Sequence, residues 1–309
     1  MPTITLPAYA KINLYLGVTG IAENGYHTVE TVMQAITLHD HVTVTLSDDP
    51  AASADEWAPD ISLSCSNPDI PCDETNLAWR AALLYCSRLH ETQPDIPAPK
   101  LHIYIEKRIP AAGGLAGGSS DAAAVFTALN HLLMDPLSRS DLLTLGAALG
   151  ADVPFCVLAS QDIPTALGLH YGERMTVLPP MPQMYCVAAS LGEGCPTPWA
   201  YGLVDQLPTD PVGGFRPITD ALLSADPARI TALMYNRFEE AILPQRPGAR
   251  LCRDILQRYA DRVLLSGSGS AVIGLFSNPE KATLACAALE EAGAVAALCE
   301  TLQRSQTHA

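Results

Sequence analysis

A chain of 309 residues is long enough for two modest domains with cores of their own, and 48% hydrophobic residues exclude a disordered chain. A formal net charge of −15 excludes a basic surface for nucleic acid or anionic lipid, so a bound polyanion has to be held by main-chain donors and a few cations. Nine cysteines without a Cys-x-x-Cys pair read as reduced, structural thiols, and the absence of a signal-peptide pattern and of any membrane-length apolar run makes a cytoplasmic protein the expectation.

Residues 3–6 and 12–18 read as strands joined through Pro7-Ala8-Tyr9-Ala10-Lys11. Lys11 and Asn13 place a charge and an amide on alternate positions of an apolar segment, and a solvated strand lysine is the plain alternative to a functional one. Asn24-Gly25-Tyr26-His27 is a turn that leaves an aromatic beside an imidazole; ordinary packing would also explain the pair. A strand at 41–46, an exposed loop over 47–60 with solvated charges and a returning strand at 61–65 come next. Residues 76–90 form an amphipathic helix with Leu77, Ala81, Leu84 and Cys86 toward a core, 94–99 a proline-bounded connector, and 100–109 a strand that alternates Leu101, Ile103 and Ile105 with His102, Tyr104 and Glu106.

The next stretch joins that strand to a helix over 122–134. Pro110, Ala111, Ala112, Gly113, Gly114, Leu115, Ala116, Gly117, Gly118, Ser119 and Ser120 form it, with Asp121 behind them. Glycines at 113, 114, 117 and 118 allow left-handed backbone angles and bring a ligand close to main-chain N–H groups, and a helix then opens at Ser119, Ser120 and Asp121. Free N–H groups at the positive end of a helix suit a polyphosphate; a close-packed strand-to-helix turn is the alternative. Ser119 stands where a Walker loop requires lysine, and the Gly-x-Gly-x-x-Gly spacing of a dinucleotide fold is absent.

Ser140 caps a helix through 149, and Asp152 follows, before Val153-Pro154, in a position common for cap and turn residues. Prolines at 179, 180 and 182 mark a boundary within 178–183, and a strand starts at 184. Trp199 and Tyr201 lie in a proline-rich loop, where they could simply cap the local core. A helix over 227–243 carries Asn236-Arg237-Phe238-Glu239. Strands at 262–265 and 271–276 flank Ser266-Gly267-Ser268-Gly269-Ser270, which could be only a hairpin turn. A helix over 279–292 and a strand at 295–299 complete a ferredoxin-like order from 184 onward.

Pro-x-x-x-Gly-Leu-Ala-Gly-Gly-Ser-Ser-Asp-Ala-Ala closely resembles the ATP loop of the GHMP kinases, and within them the branch that phosphorylates the 2-hydroxyl of a cytidine diphosphate-linked methylerythritol in non-mevalonate isoprenoid synthesis. The resemblance runs from Pro7 to Phe276. It implies an α+β, two-domain GHMP kinase fold: an N-terminal nucleotide-binding domain at 1–178, a C-terminal, ferredoxin-like, substrate-binding domain at 179–309, and an active site in the cleft between them. It implies ATP and Mg²⁺ as cofactors, the metal's ligands being open with Ser119 and Ser120 as candidates, and a small-molecule partner rather than nucleic acid or membrane. It further implies that Lys11 and Asp152 are the catalytic pair, Asp152 as base. The segment from Pro110 to Ser120 would cradle the ATP phosphates, with the 266–270 loop facing the same site. Asn13, Tyr26, His27 and Tyr201 would bind substrate, Tyr26 and Tyr201 (or Trp199) sandwiching the cytosine while His27 bonds its edge. The chain departs from the family pattern at Gly168-Leu169-His170-Tyr171-Gly172-Glu173, where relatives carry a Gly-x-Gly-Glu turn. A kinase for another small alcohol of the homoserine or mevalonate type, or a silent nucleotide-binding sensor, would share much of this pattern.

Overall fold

The computed structural model describes residues 1–49, 57–111, 113–208 and 212–304. They gather into two compact units, each assembled from separated stretches of chain. The first holds Met1–Tyr9, His39–Arg108 and Gly117–Gln161, and the second holds Ala10–Leu38, Ile109–Ala116 and the chain from Asp162 on. Part of the predicted loop at 47–60, like Ala112, lies outside the described residues.

The first unit takes the start of β1 (Thr3–Ile21) and the end of β2 (His27–Leu46), then β3 (Asp60–Cys65), α1 (Leu77–Thr92), β4 (Lys100–Glu106), α2 (Gly117–Leu132), α3 (Arg139–Leu149) and α4 (Val153–Ser160). β4 lies between an antiparallel β2, with His41 opposite Glu106, and a parallel β3, with Asp60 opposite Lys100. The alternation in β4 does what its period predicts: Leu101, Ile103 and Ile105 are buried while His102 and Tyr104 face water. Each such apolar side chain contributes about 1.5–3 kcal/mol. α2 packs on α1 and α4 and buries Ala122, Ala123, Ala124 and Ala128, small side chains that let helices approach closely.

Several boundaries differ from the sequence reading, each for a local reason. β1 is one strand straight through Pro7; the two-residue strand at Tyr235–Asn236 pairs only with Tyr15 and Leu16, and an edge position tolerates a missing N–H. α2 starts at Gly117, five residues before the expected start. It stops at Leu132 because Met134 and Asp135 turn left-handed (φ 63° and 55°). The cap of α3 is Ser138, not Ser140: its hydroxyl accepts from Asp141 N at 3.2 Å while the Asp141 carboxylate accepts from Ser138 N at 3.1 Å, a reciprocal box.

The second unit takes the rest of β1 and β2 and the 109–116 loop, then β5 (Thr165–His170), β6 (Arg174–Val177), β7 (Tyr185–Ser190), α5 (Thr197–Val204), α6 (Arg216–Leu223), α7 (Pro227–Leu233), β8 (Tyr235–Asn236), α8 (Phe238–Ile242), α9 (Pro247–Leu256), β9 (Arg262–Leu265), β10 (Val272–Phe276), α10 (Pro279–Glu291) and β11 (Val295–Glu300). β5 pairs with β2 and β6, and β8 runs parallel to β1. An antiparallel sheet in the order β11-β7-β10-β9 gives the expected ferredoxin-like arrangement. The proline-rich 196–201 segment is not a loop but the start of α5, since Pro198 sits in a first turn where no N–H is needed.

The single helix expected over 227–243 is broken. Asn236 takes bonds that compete with the helix: its side chain accepts from Phe238 N at 2.9 Å and donates to Leu265 O at 2.7 Å and Gly267 O at 2.8 Å. The family departure at 168–173 is a closed hairpin turn in which the Glu173 carboxylate bonds the His170 ring and accepts from Tyr171 N. Among the described residues no helix is long and apolar enough to cross a membrane.

Candidate active site

Lys11 is 3% exposed, so the solvated-strand reading fails for it. Its Nζ donates to Asn13 Oδ1 at 2.9 Å, and strand alternation puts the two side chains on one face. Asn13, equally buried, also accepts from Gly267 N at 3.0 Å and donates to Thr31 Oγ1 at 2.8 Å, and Thr31 in turn donates to Tyr15 O at 2.9 Å. Thus one amide joins a buried cation to the glycine-rich 266–270 loop. Burying an ammonium is costly unless it is hydrogen-bonded, and this network supplies such bonds.

The same loop is laced to the first half of the 110–120 segment. Ala271 N donates to Gly113 O at 3.1 Å, the Ser266 hydroxyl to Gly114 O at 3.0 Å and Lys11 N to Leu115 O at 3.1 Å. Gly114 adopts φ +76°, and a Cβ there would meet Ser266 O at 2.2 Å, so this glycine is required by packing. Leu115 is buried, Pro110 half-buried and Ala111 exposed, and Ala116 takes a left-handed φ of 61° as the chain turns into α2. The close-packed-turn reading therefore holds for Gly113 and Gly114.

Gly118 differs: it is exposed, and a Cβ would meet nothing nearer than Leu77 Cδ1 at 3.7 Å. Gly117, Gly118 and Ser119 form the first turn of α2, whose N–H groups have no intrahelical acceptors. The two serines separate here. The Ser119 hydroxyl makes no hydrogen bond among the described residues, whereas buried Ser120 donates to Tyr9 O at 2.6 Å and to Cys156 Sγ at 3.3 Å. Ser120 is thus tied inward, an anchor for the helix start.

One turn into α2, Asp121 shares the Lys107 ammonium with Asp40, at 2.8 and 2.5 Å. Burial alone would pull Lys107 down, but the Asp121 and Asp40 carboxylates together hold it above its ordinary value. Asp152 directly precedes α4 in helical conformation (φ −82°, ψ −18°), and its side chain makes no cap bond. Its half-buried carboxylate therefore does not act as a helix cap.

Tyr26 is 68% exposed and packs at a tilt against Tyr171 at 5.7 Å, while Asn24 Nδ2 donates to Tyr171 Oη at 2.7 Å. His27 lies flat on Tyr201 (4.3 Å, 19°) with Nε2 2.7 Å from Asp205 Oδ1, and Tyr201 meets Phe238 edge-on at 5.0 Å. Trp199, the other aromatic of the segment, is covered by the Arg246 guanidinium at 4.2 Å. The structure thus brings His27 and Tyr201 together as one stack, and the face of Tyr201 that meets His27 is occupied.

Sequence reasoning misses Thr31, Tyr171 and Asp205. Asp205 was within reach, being four residues beyond Tyr201 at the end of α5 and so on the same helix face. Thr31 meets Asn13 only through strand register, and Tyr171 lies in the stretch that departs from the family pattern; neither carries a local signal.

Residues 76–160 match the family model for the GHMP kinases N terminal domain, and 218–295 that for the GHMP kinases C terminal. A 4-diphosphocytidyl-2-C-methyl-D-erythritol kinase of Gloeobacter violaceus is 38% identical, covering 98% of this chain and 96% of its own. One of Acaryochloris marina is 36% identical over 94% and 93%. The crystal structure of a 4-(cytidine 5′-diphospho)-2C-methyl-D-erythritol kinase superposes with a TM-score of 0.71 at 32% identity, covering 96% of this chain and 99% of that one. With both domain models matched and such identity held end to end, the chain belongs to the GHMP kinases, in the 4-diphosphocytidyl-2-C-methyl-D-erythritol kinase family.

Proposed function

We propose that this protein transfers the γ-phosphoryl group of ATP to the 2-hydroxyl of 4-diphosphocytidyl-2-C-methyl-D-erythritol, a step of non-mevalonate isoprenoid synthesis. The observation that carries the reading is kinship over nearly the whole chain with kinases of that name, covering the Lys11 strand, the glycine loop and the Gly-Tyr-His turn together. A kinase for a small acid such as homoserine would have no use for the Tyr26 and His27 pair, which suits a pyrimidine.

In this reading Asp152 accepts the hydroxyl proton, and Lys11 supplies the positive charge that stabilises the developing alkoxide. Asn13 keeps the Lys11 ammonium in place through the bond described above. Main-chain N–H groups at Gly117, Gly118 and Ser119 receive phosphate oxygens, a fit supported by the open side of Gly118. Mg²⁺, when bound with the nucleotide, would neutralise charge on the transferring phosphoryl group. Among the described residues no group of three His, Cys, Asp or Glu side chains gathers to hold a metal. The Ser119 hydroxyl is the donor that fits, together with the nucleotide's own phosphates, as is usual for this ion.

The test is ADP release by the purified protein with ATP, Mg²⁺ and the cytidyl acceptor. Turnover should depend on the acceptor, and Asp152→Asn should lower kcat by about 10²–10⁴-fold. Lys11→Ala should lower kcat comparably while ATP still binds. Wild-type turnover in Asp152→Asn with normal folding would remove the base assignment; ATP binding without turnover in the wild type would favour a nucleotide sensor.

A further inference from the structure

His27 is held from two directions by one short helix. A carboxylate can only accept, so the 2.7 Å contact between Nε2 and Asp205 Oδ1 puts a ring proton on Nε2. In the neutral imidazole Nδ1 then carries the lone pair, and among the described residues no protein group bonds it. The ring plane is fixed by the stack on Tyr201, which is backed by fully buried Phe238. Asp205 and Tyr201 are one turn apart, Asp205 N donating to Tyr201 O at 3.0 Å, so the end of α5 sets both the plane and the proton of His27.

We infer that Asp205 is a positioning residue that makes His27 Nδ1 an acceptor for the exocyclic amino group of cytosine, and so selects a cytosine over a uracil nucleotide. This rests on the reading of Tyr26 and His27 as the pyrimidine site. The 4-amino group of cytosine donates a hydrogen bond; the 4-carbonyl of uracil only accepts and would set lone pair against lone pair. A site built to pair with a donor rejects an analogue lacking it, because its own acceptor is left unpaired. Without Asp205 the imidazole proton could move to Nδ1, and the preference would weaken or reverse.

The experiment compares CDP and UDP as competitors of the cytidyl acceptor in wild type, Asp205→Ala and Asp205→Asn. The ¹⁵N resonances of the His27 ring report its tautomer. Wild type should prefer CDP by about a hundredfold or more, with the proton on Nε2. Asp205→Ala should cut the preference about tenfold by weakening CDP, and raise KM for the acceptor far more than it lowers kcat, with KM for ATP unchanged. Asp205→Asn, whose amide oxygen still accepts from Nε2–H, should retain most of the preference. Asp205 is partly exposed, so the variants should fold, and an unchanged KM for ATP verifies that. An undiminished preference in Asp205→Ala, or a wild-type proton on Nδ1, overturns the role of Asp205. Equal competition by CDP and UDP in the wild type would overturn the selection by His27 Nδ1, whereas failure of both to compete would overturn the pyrimidine reading beneath it.

Discussion

Asp121 is 4% exposed, shares the Lys107 ammonium with Asp40, and has an Oδ1 that finds no donor among the described residues. Burial pushes its carboxyl up to about 7, the Asp40 carboxylate adding to the rise against the downward pull of Lys107. A folded-state value above the ordinary 3.8 means that the folded chain keeps a proton where the unfolded chain has lost it. Stability from this group is therefore greatest at low pH and falls as pH rises from about 4 through about 7. Asp121→Asn keeps an oxygen for Lys107 and removes the titration. Measured by urea unfolding without nucleotide, the variant should gain on wild type by on the order of 1–3 kcal/mol between pH 5 and pH 8. An unchanged difference between the two proteins across that range would show that Asp121 is ionised throughout.

At the scale of elements, the glycine loop divides into a part that packs and a part that stays open, and two substitutions tell them apart. Gly114→Ala puts a methyl 2.2 Å from a backbone oxygen at a positive φ; it should cost about 1–3 kcal/mol of stability and impair every substrate through misfolding. Gly118→Ala meets only a leucine tip at 3.7 Å and sits in the first turn of α2. It should raise stability by about 0.5–1 kcal/mol, as alanine does in a helix, yet raise KM for ATP by narrowing the approach of phosphate to the N–H groups. Thermal unfolding beside ATP kinetics reads both; an unchanged KM in Gly118→Ala would mean that phosphate does not approach there. These elements were legible to different depths. β4 and the strands of the β7–β11 sheet declare themselves by period and turn residues, and the turn into α2 by its string of glycines. The first half of β2 does not, because Val29, Val32, Met33, Ala35 and Ile36 are buried in a run without alternation. The break at Asn236 was hidden because its partners, Leu265 and Gly267, are 29 and 31 residues away. At the site, Lys11 and Asn13 were marked by alternation within one strand, whereas the bond from Asn13 to Gly267 spans 254 residues.

Taken whole, the molecule combines a charge of −15 with nine cysteines, and both facts constrain how it works. A strongly acidic chain repels nucleotides at long range, so the phosphate site proposed above would rely on oriented N–H groups within the Debye length of about 8 Å. The cysteines are all free in the structure, and burial protects them unequally. Cys86, Cys156, Cys186, Cys195, Cys252 and Cys299 are buried, Cys65 and Cys286 partly so, and Cys72 is exposed. Burial also pushes the Cys86 thiol up to about 12 and that of Cys252 up to about 11, and raises those of Cys65, Cys195 and Cys286, which keeps the reactive thiolate scarce. A thiol reagent added to the native protein at neutral pH should therefore label Cys72 in a fast phase of about one equivalent, and the remainder only as the chain opens. Cys72→Ser should remove that phase, and reductant should leave stability unchanged, because no disulfide contributes to it. Labelling of Cys86, Cys186 or Cys299 in the fast phase would mean that α1 or the β7–β11 sheet opens far more readily than its packing implies. MgATP supplies the second half of the measurement. A ligand bound only by the folded form suppresses global opening by its own binding free energy, so saturating MgATP should slow the labelling of buried cysteines that react through global unfolding and leave Cys72 unaffected.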